Sequence, residues 1–160
     1  MIDGEPVMGA SGTDDAARAL AQRVADAMFS RDRASQALGM RVQHVEPGRA
    51  EMSMTVRDDM LNGHSICHGG FIFLLADSTF AFACNSYNAN TVAQGCSIDY
   101  LAPARAGDVL HATGAERSRG GRTGVYDIEV RNQHGAAVAL FRGKSYRIDG
   151  RVVDDAPPVA

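Results

Sequence analysis

A chain of 160 residues that is 45% hydrophobic carries enough apolar material for one sizeable core, and nothing in its length asks for a second domain. Sixteen Lys and Arg against nineteen Asp and Glu leave a net charge of -3, which argues against the global basic field that nucleic acid or an anionic membrane surface selects. The longest apolar run, Gly69 to Cys84, is shorter than the roughly 18 to 20 residues of a bilayer span and is broken by Asp77, so a soluble protein is expected.

Residues 1–13 mix Gly, Pro, Ser and acidic residues without periodicity, and residues 150–160 are similar; both ends are expected to be poorly ordered, leaving 14–149 as the domain. Ala16, Leu20, Val24, Ala27 and Met28 recur at helical spacing and predict an amphipathic helix ending near Ser30. A short helical stretch around Ala34 to Leu38 precedes a strand over Met40 to Val45. After a turn at Pro47-Gly48, Ala50, Met52, Met54 and Val56 alternate with polar residues as a second strand.

The segment from His68 to Cys84 is apolar on nearly every side and too long for a strand, which predicts a helix buried all round. Four strands follow, at about Thr91 to Leu101, Asp108 to Glu116, Thr123 to Asn132 and Ala136 to Ile148. Turn residues at Gly120-Gly121 and Gln133-His134-Gly135 make this half read as an antiparallel meander. The expected architecture is α+β, one buried helix wrapped by a curved antiparallel sheet of about six strands, with an extra helix at the front.

Chemistry concentrates on the long helix. Asp77 is its sole carboxylate, flanked one turn away by Phe73, Leu74, Phe80 and Ala81, where an unpaired charge is costly. It is either a brace hydrogen-bonded to backbone amides or a catalytic acid. Gly69 and Gly70 open the same helix, where free first-turn amides and the helix dipole favour a developing oxyanion. Taken alone, the pair also suits a tight turn. Eight residues at ~1.5 Å each separate Gly69 from Asp77 by about 12 Å, too far for one carbonyl to touch both. Two such helices lying antiparallel across a twofold axis unite Gly69 of one chain with Asp77 of the other, so the expected active unit is a dimer.

Asn62-Gly63-His64-Ser65-Ile66-Cys67-His68-Gly69-Gly70, followed by Leu75-Ala76-Asp77 and by Asp99-Tyr100-Leu101-Ala102-Pro103, resembles the signature of hot-dog-fold acyl-CoA thioesterases. The resemblance is to the PaaI type of phenylacetic acid degradation within the 4-hydroxybenzoyl-CoA thioesterase-like superfamily, and it runs over about residues 36–149. It implies hydrolysis of an acyl-CoA, with phenylacetyl or hydroxylated phenylacetyl as the leading acyl group. Asp77 is then the group that activates water or attacks the thioester. The Gly69 amide polarises the carbonyl beside Gly70, and Asn62 and His68 position water and substrate. The resemblance further implies a homotetramer built from the dimer, and no cofactor beyond the coenzyme A of the substrate. Some relatives carry Ser or Thr on the strand facing the acid, a place that falls on Ala93 here.

Arg117, Arg119 and Arg122 flank the Gly120-Gly121 turn as candidates for the coenzyme A phosphates, or as a solvated turn. Phe71, Phe73, Phe80 and Phe82 are core residues, some of which are candidates to line an acyl pocket. His64, Cys67 and His68 lack the spacing of zinc motifs, so no metal is expected. Three cysteines without CxxC spacing, Cys67, Cys84 and Cys96, and no basic-then-apolar leader suit a reducing cytoplasm. Two other functions stand beside hydrolysis: an enoyl-CoA hydratase using Asp59 and His64, and a non-catalytic acyl-CoA sensor.

Overall fold

The structure is a computed structural model in which residues 10–159 are described. Helix α1 (Ala10–Arg31) and the short α2 (Arg33–Ala37) lead into β1 (Arg41–Glu46) and β2 (Arg49–Thr55). The long helix α3 (Gly69–Asn85) is followed by β3 (Thr91–Tyr100), β4 (Val109–Gly120), β5 (Thr123–Arg131) and β6 (Ala137–Arg147). The six strands form one antiparallel sheet in the order β1-β2-β4-β5-β6-β3. Helix α3 crosses its inner face, packing most on β2, β4 and β5. This is the α+β hot-dog arrangement.

The meander expected of the C-terminal half holds for β4, β5 and β6, whereas β3 lies at the far edge beside β6. The chain therefore crosses the sheet twice, once through α3 and once through residues 101–108. Phe80 on α3 meets Tyr126 and Phe141 with ring centroids 5.5 and 6.0 Å away. Gly143 in β6 leaves room for that ring: a Cβ there would lie 2.8 Å from it. Around it Met52, Met54, Leu75, Leu110, Ile128 and Val130 are buried as one apolar cluster.

Three expectations need correction. Helix α1 begins at Ala10 rather than near Asp14, while the first nine residues lie outside the described part. Helix α3 is not buried all round, because Phe73, Asp77 and Ala81 are only half-covered and the adjoining β3 is exposed on both of its faces. Val92 and Tyr100 on β3 are 46% and 51% exposed, apolar surface left open at a ten-residue edge strand.

The third correction concerns residues 150–159, which are docked. Asn88, fully buried, donates through Nδ2 to Val153 O (3.0 Å) and Ala156 O (2.8 Å) and accepts from Val153 N–H (2.9 Å). Gly150 O accepts from Asn90 N–H at 3.2 Å, and Val159 N–H donates to Tyr87 O at 2.9 Å. A segment without periodicity is thus held by a buried amide whose own hydrogen bonds would otherwise go unmet, together with backbone bonds at both of its ends.

Candidate active site

The 62–70 loop is built by its own side chains. Asn62 Oδ1 accepts from His64 N–H (2.9 Å) and Ile66 N–H (3.5 Å), which folds the backbone back on itself and puts Ser65 in the left-handed region at φ 57°. His68 then caps α3, its Nδ1 accepting from Gly70 N–H at 3.0 Å, so the neutral ring carries its proton on Nε2. His68 O accepts from Phe71 N–H at 3.0 Å.

These caps separate the two glycines. The Gly70 amide is consumed by His68, whereas the Gly69 amide, at the first helical position, has no acceptor among the described residues. Gly69 is also pressed by Tyr100, whose hydroxyl donates to Gly69 O at 2.9 Å; a Cβ at Gly69 would sit 2.9 Å from the ring. The close approach of that ring is what requires glycine here.

Asp77 faces a cavity of about 520 Å³ between the second half of α3, the start of β3, the end of α1 and the docked tail. Phe80, Ala81, Val92 and Ala93 give it apolar walls, and Asp77 is its sole carboxylate. Burial pushes the Asp77 pKa above the ordinary aspartate value of 3.8, and a hydrogen bond from Cys96 partly offsets that. The Cys96 Sγ to Asp77 Oδ1 distance is 3.8 Å, and the thiol is pushed up to about 11, first by its own partial burial and then by the nearby carboxylate. At neutral pH Cys96 is therefore a donor, and Asp77 keeps the basicity of a desolvated carboxylate.

Asn62, His68, Gly69 and Gly70 do not line this cavity. One chain brings Asn62, His68 and the glycines together and puts Asp77 about 12 Å further along α3. Nor does it gather the three arginines. Arg117 reaches Asp127 (3.0 Å) on the outer face of the sheet, while Arg119 pairs with Glu116 (3.5 Å) and stacks 3.8 Å above the Tyr87 ring. Arg122 pairs with Asp149 at 3.2 Å. A β-bulge at Arg117 divides the set, and each guanidinium already has an acid.

Cys96 was not singled out in the sequence, and a second bulge explains why. Between Ala93 and Gly95 the β3–β6 register shifts by one residue, so Ala93 and Cys96 come to the Asp77 side although three positions apart. Strict alternation from Ala93 sends Cys96 to the opposite face.

Two other places carry less chemistry. The outer face of the sheet has a larger hollow of about 630 Å³ that includes Asp99, Arg117, Asp127 and Arg142. Arg142 and then Arg117 hold Asp127 below the ordinary range, so its charge is already satisfied and it is a weak base. Asp59 is exposed and is likewise held by an arginine, Arg57 donating to it at 2.9 and 3.1 Å, which lowers its pKa. The hydratase reading therefore loses a free acid.

Residues 64–139 match the model of the thioesterase superfamily. The acyl-coenzyme A thioesterase PaaI of Escherichia coli (strain K12) is 51% identical over 132 residues, covering 82% of this chain and 94% of the relative. The chain belongs to the PaaI-type acyl-CoA thioesterases. The solved structure of the E. coli PaaI protein from the phenylacetic acid degradation operon agrees at TM-score 0.83 and 50% identity, over 84% of this chain and 97% of that one. A variant of the phenylacetic acid degradation protein PaaI from Thermus thermophilus agrees at 0.69 and 41%, over 71% and 97%. A Streptococcus mutans UA159 protein solved bound to acetyl-CoA agrees at 0.68 and 29%, over 70% and 90%. In this PaaI-type thioesterase the Asn62–Gly70 loop and the Asp77 carboxylate are thus elements of one enzyme fold.

Proposed function

We propose that this chain hydrolyses phenylacetyl-CoA, or a ring-hydroxylated phenylacetyl-CoA, to the free acid and coenzyme A, with Asp77 and Gly69 supplied by different subunits of a dimer. The observation that carries the reading is a half-buried carboxylate, the sole one lining its cavity and walled locally by Phe80, Ala81, Val92 and Ala93, paired in the sequence with a helix-start amide that lacks an acceptor among the described residues. Two antiparallel copies of α3 bring that amide to the cavity. The bare β3 edge, with Val92 and Tyr100 open, gives the second copy a surface on which to pair.

With the thioester held at Asp77, its carbonyl oxygen accepts from the partner's Gly69 amide, and that bond strengthens as negative charge develops on the oxygen. Asp77 has two courses. As general base it takes a proton from water, the resulting hydroxide adds to the carbonyl carbon, and the tetrahedral intermediate collapses with departure of the coenzyme A thiolate. As nucleophile it displaces the thiolate itself, forming an acyl anhydride that water then opens. Cys96 orients the carboxylate in either case. His68 fixes the entry to α3 through Gly70, and Asn62 shapes the loop that presents Gly69.

No metal or redox group enters these steps, because the leaving thiolate needs only displacement and a proton. The free cysteines suit a cytoplasmic setting, and a homotetramer is the assembly proposed beyond the dimer. The test is thiol release from phenylacetyl-CoA, hydroxyphenylacetyl-CoA, hydroxybenzoyl-CoA and fatty acyl-CoAs by wild type and Asp77→Asn. Aryl-acetyl preference with a ~10²- to 10⁴-fold loss in the folded variant is expected. Near-normal turnover by Asp77→Asn would sink the mechanism, and enoyl-CoA consumption without thiol release would restore the hydratase.

A further inference from the structure

The cavity wall remote from Asp77 is cationic, and nothing in the hydrolytic steps uses it. Arg31, the last residue of α1, and Arg151, in the docked tail, both line the cavity. Arg31 donates from Nε to Ala27 O (3.0 Å) and from a terminal nitrogen to Val152 O (3.4 Å); Arg151 donates to Ala156 O (3.4 Å). Neither has a carboxylate within ion-pair distance among the described residues, in contrast to Arg117, Arg119 and Arg122. Of the acids in and beside the tail, Asp149 pairs with Arg122 and Asp155 with Arg23, and Asp154 forms no ion pair with either arginine.

Both arginines are held in place. Arg31 is tied to its own helix, and Arg151 sits between Gly150, bound by Asn90, and Val153, bound by Asn88. The neutral polar group between them and Asp77 is already spent: Asn85 bonds Ala81 O, Thr91 O and Thr91 N–H. From Asp77 the cavity follows α3 for about 12 Å to Asn85, the last residue of the helix, and continues past it to Asn90. The carboxyl end of α3 brings about half a negative charge to that region, which two guanidiniums exceed. A ligand lying along the cavity meets a carboxylate at one end, apolar walls, and two unpaired cations at the other.

We propose that Arg31 and Arg151 bind an oxyanion carried by the substrate at the end of the cavity remote from the thioester. The inference rests on the thioesterase reading. The oxyanion is either a carboxylate terminating the acyl group or a phosphate of the coenzyme A, and both use the same forked donors. It follows that the enzyme selects among thioesters by a charge it never transforms.

The test compares wild type with the Arg31→Gln/Arg151→Gln double variant on four substrates: phenylacetyl-CoA, its N-acetylcysteamine thioester, adipyl-CoA and hexanoyl-CoA. Thiol release by wild type checks the underlying reading separately, and an unchanged melting temperature checks that the variant folds. A KM increase of about ten- to a hundred-fold for phenylacetyl-CoA, absent with the phosphate-free thioester, assigns the site to phosphate. An increase of that size for adipyl-CoA alone, with hexanoyl-CoA unaffected, assigns it to an acyl carboxylate. KM values unchanged on all four substrates, in a folded variant of an active enzyme, would overturn the proposal.

Discussion

The two sides of the Asp77 cavity are made differently. The α3 side comes from one continuous stretch, in which a self-bonded loop, a capping histidine and a glycine start lead along one helix to the acid. The opposite side is assembled from the end of α1, a bulged edge strand and a tail more than a hundred residues from that helix. Local side-chain chemistry fixes the first; the second exists only once distant segments have been brought together by folding.

The largest effect expected from testing that contrast is complementation. Asp77→Asn and Gly69→Val should each be inactive, the second because its side chain collides with the Tyr100 ring. Mixed under conditions of subunit exchange, they should recover about a quarter of wild-type turnover, from heterodimers with one intact site. No recovery despite exchange proven by native mass spectrometry would show that each chain builds its site alone.

Next in size is Cys96. Cys96→Ala removes the donor to Asp77, which leaves desolvation unopposed, so the acidic limb of the rate profile should move to higher pH and turnover should fall by about ten-fold. Cys96→Ser should restore most of both. An Ala variant whose profile coincides with wild type would remove the thiol from the site.

The tail side should be weaker mechanically. Asn88→Ala loses three hydrogen bonds at a buried position, for about 2–3 kcal/mol of stability, and should free residues 150–159 to fast amide exchange while the 62–70 loop stays protected. Exchange rising equally in both places would deny that the two sides are built independently.

The smallest effect concerns the acid's own cost. The folded chain holds the Asp77 proton more tightly than the unfolded chain does, so stability falls as pH rises from the ordinary aspartate value through the raised one. Neutralising the side chain removes that cost, and Asp77→Asn should melt slightly higher than wild type at pH 7. A lower melting temperature would mean that the carboxylate braces the fold.

This division also sets what could be read beforehand. The Asn62–Asp77 loop and helix were legible because their turn, cap and apolar run are local in sequence, as were the hairpins at Gly120-Gly121 and Gln133-Gly135. What escaped was phase and distance. One bulge turned Cys96 toward the acid, another divided Arg117 from Arg119, and neither leaves a mark in residue type. The tail escaped because the groups that hold it are distant in sequence, Asn88 lying 65 residues from Val153 and Arg31 121 residues from Val152. The Gly69 and Gly70 amides looked alike until the His68 ring was seen to occupy one of them.

The link between Arg31 and the Val152 carbonyl has a consequence for how the protein comes into being. Synthesis proceeds from the amino end, so α1 leaves the ribosome 121 residues before the segment it must hold. Until then the Asp77 cavity lacks its far wall, and its apolar lining is open to any passing chain. The period of greatest aggregation risk therefore falls late in translation, and a slow stretch of codons ahead of residue 150 would lengthen it.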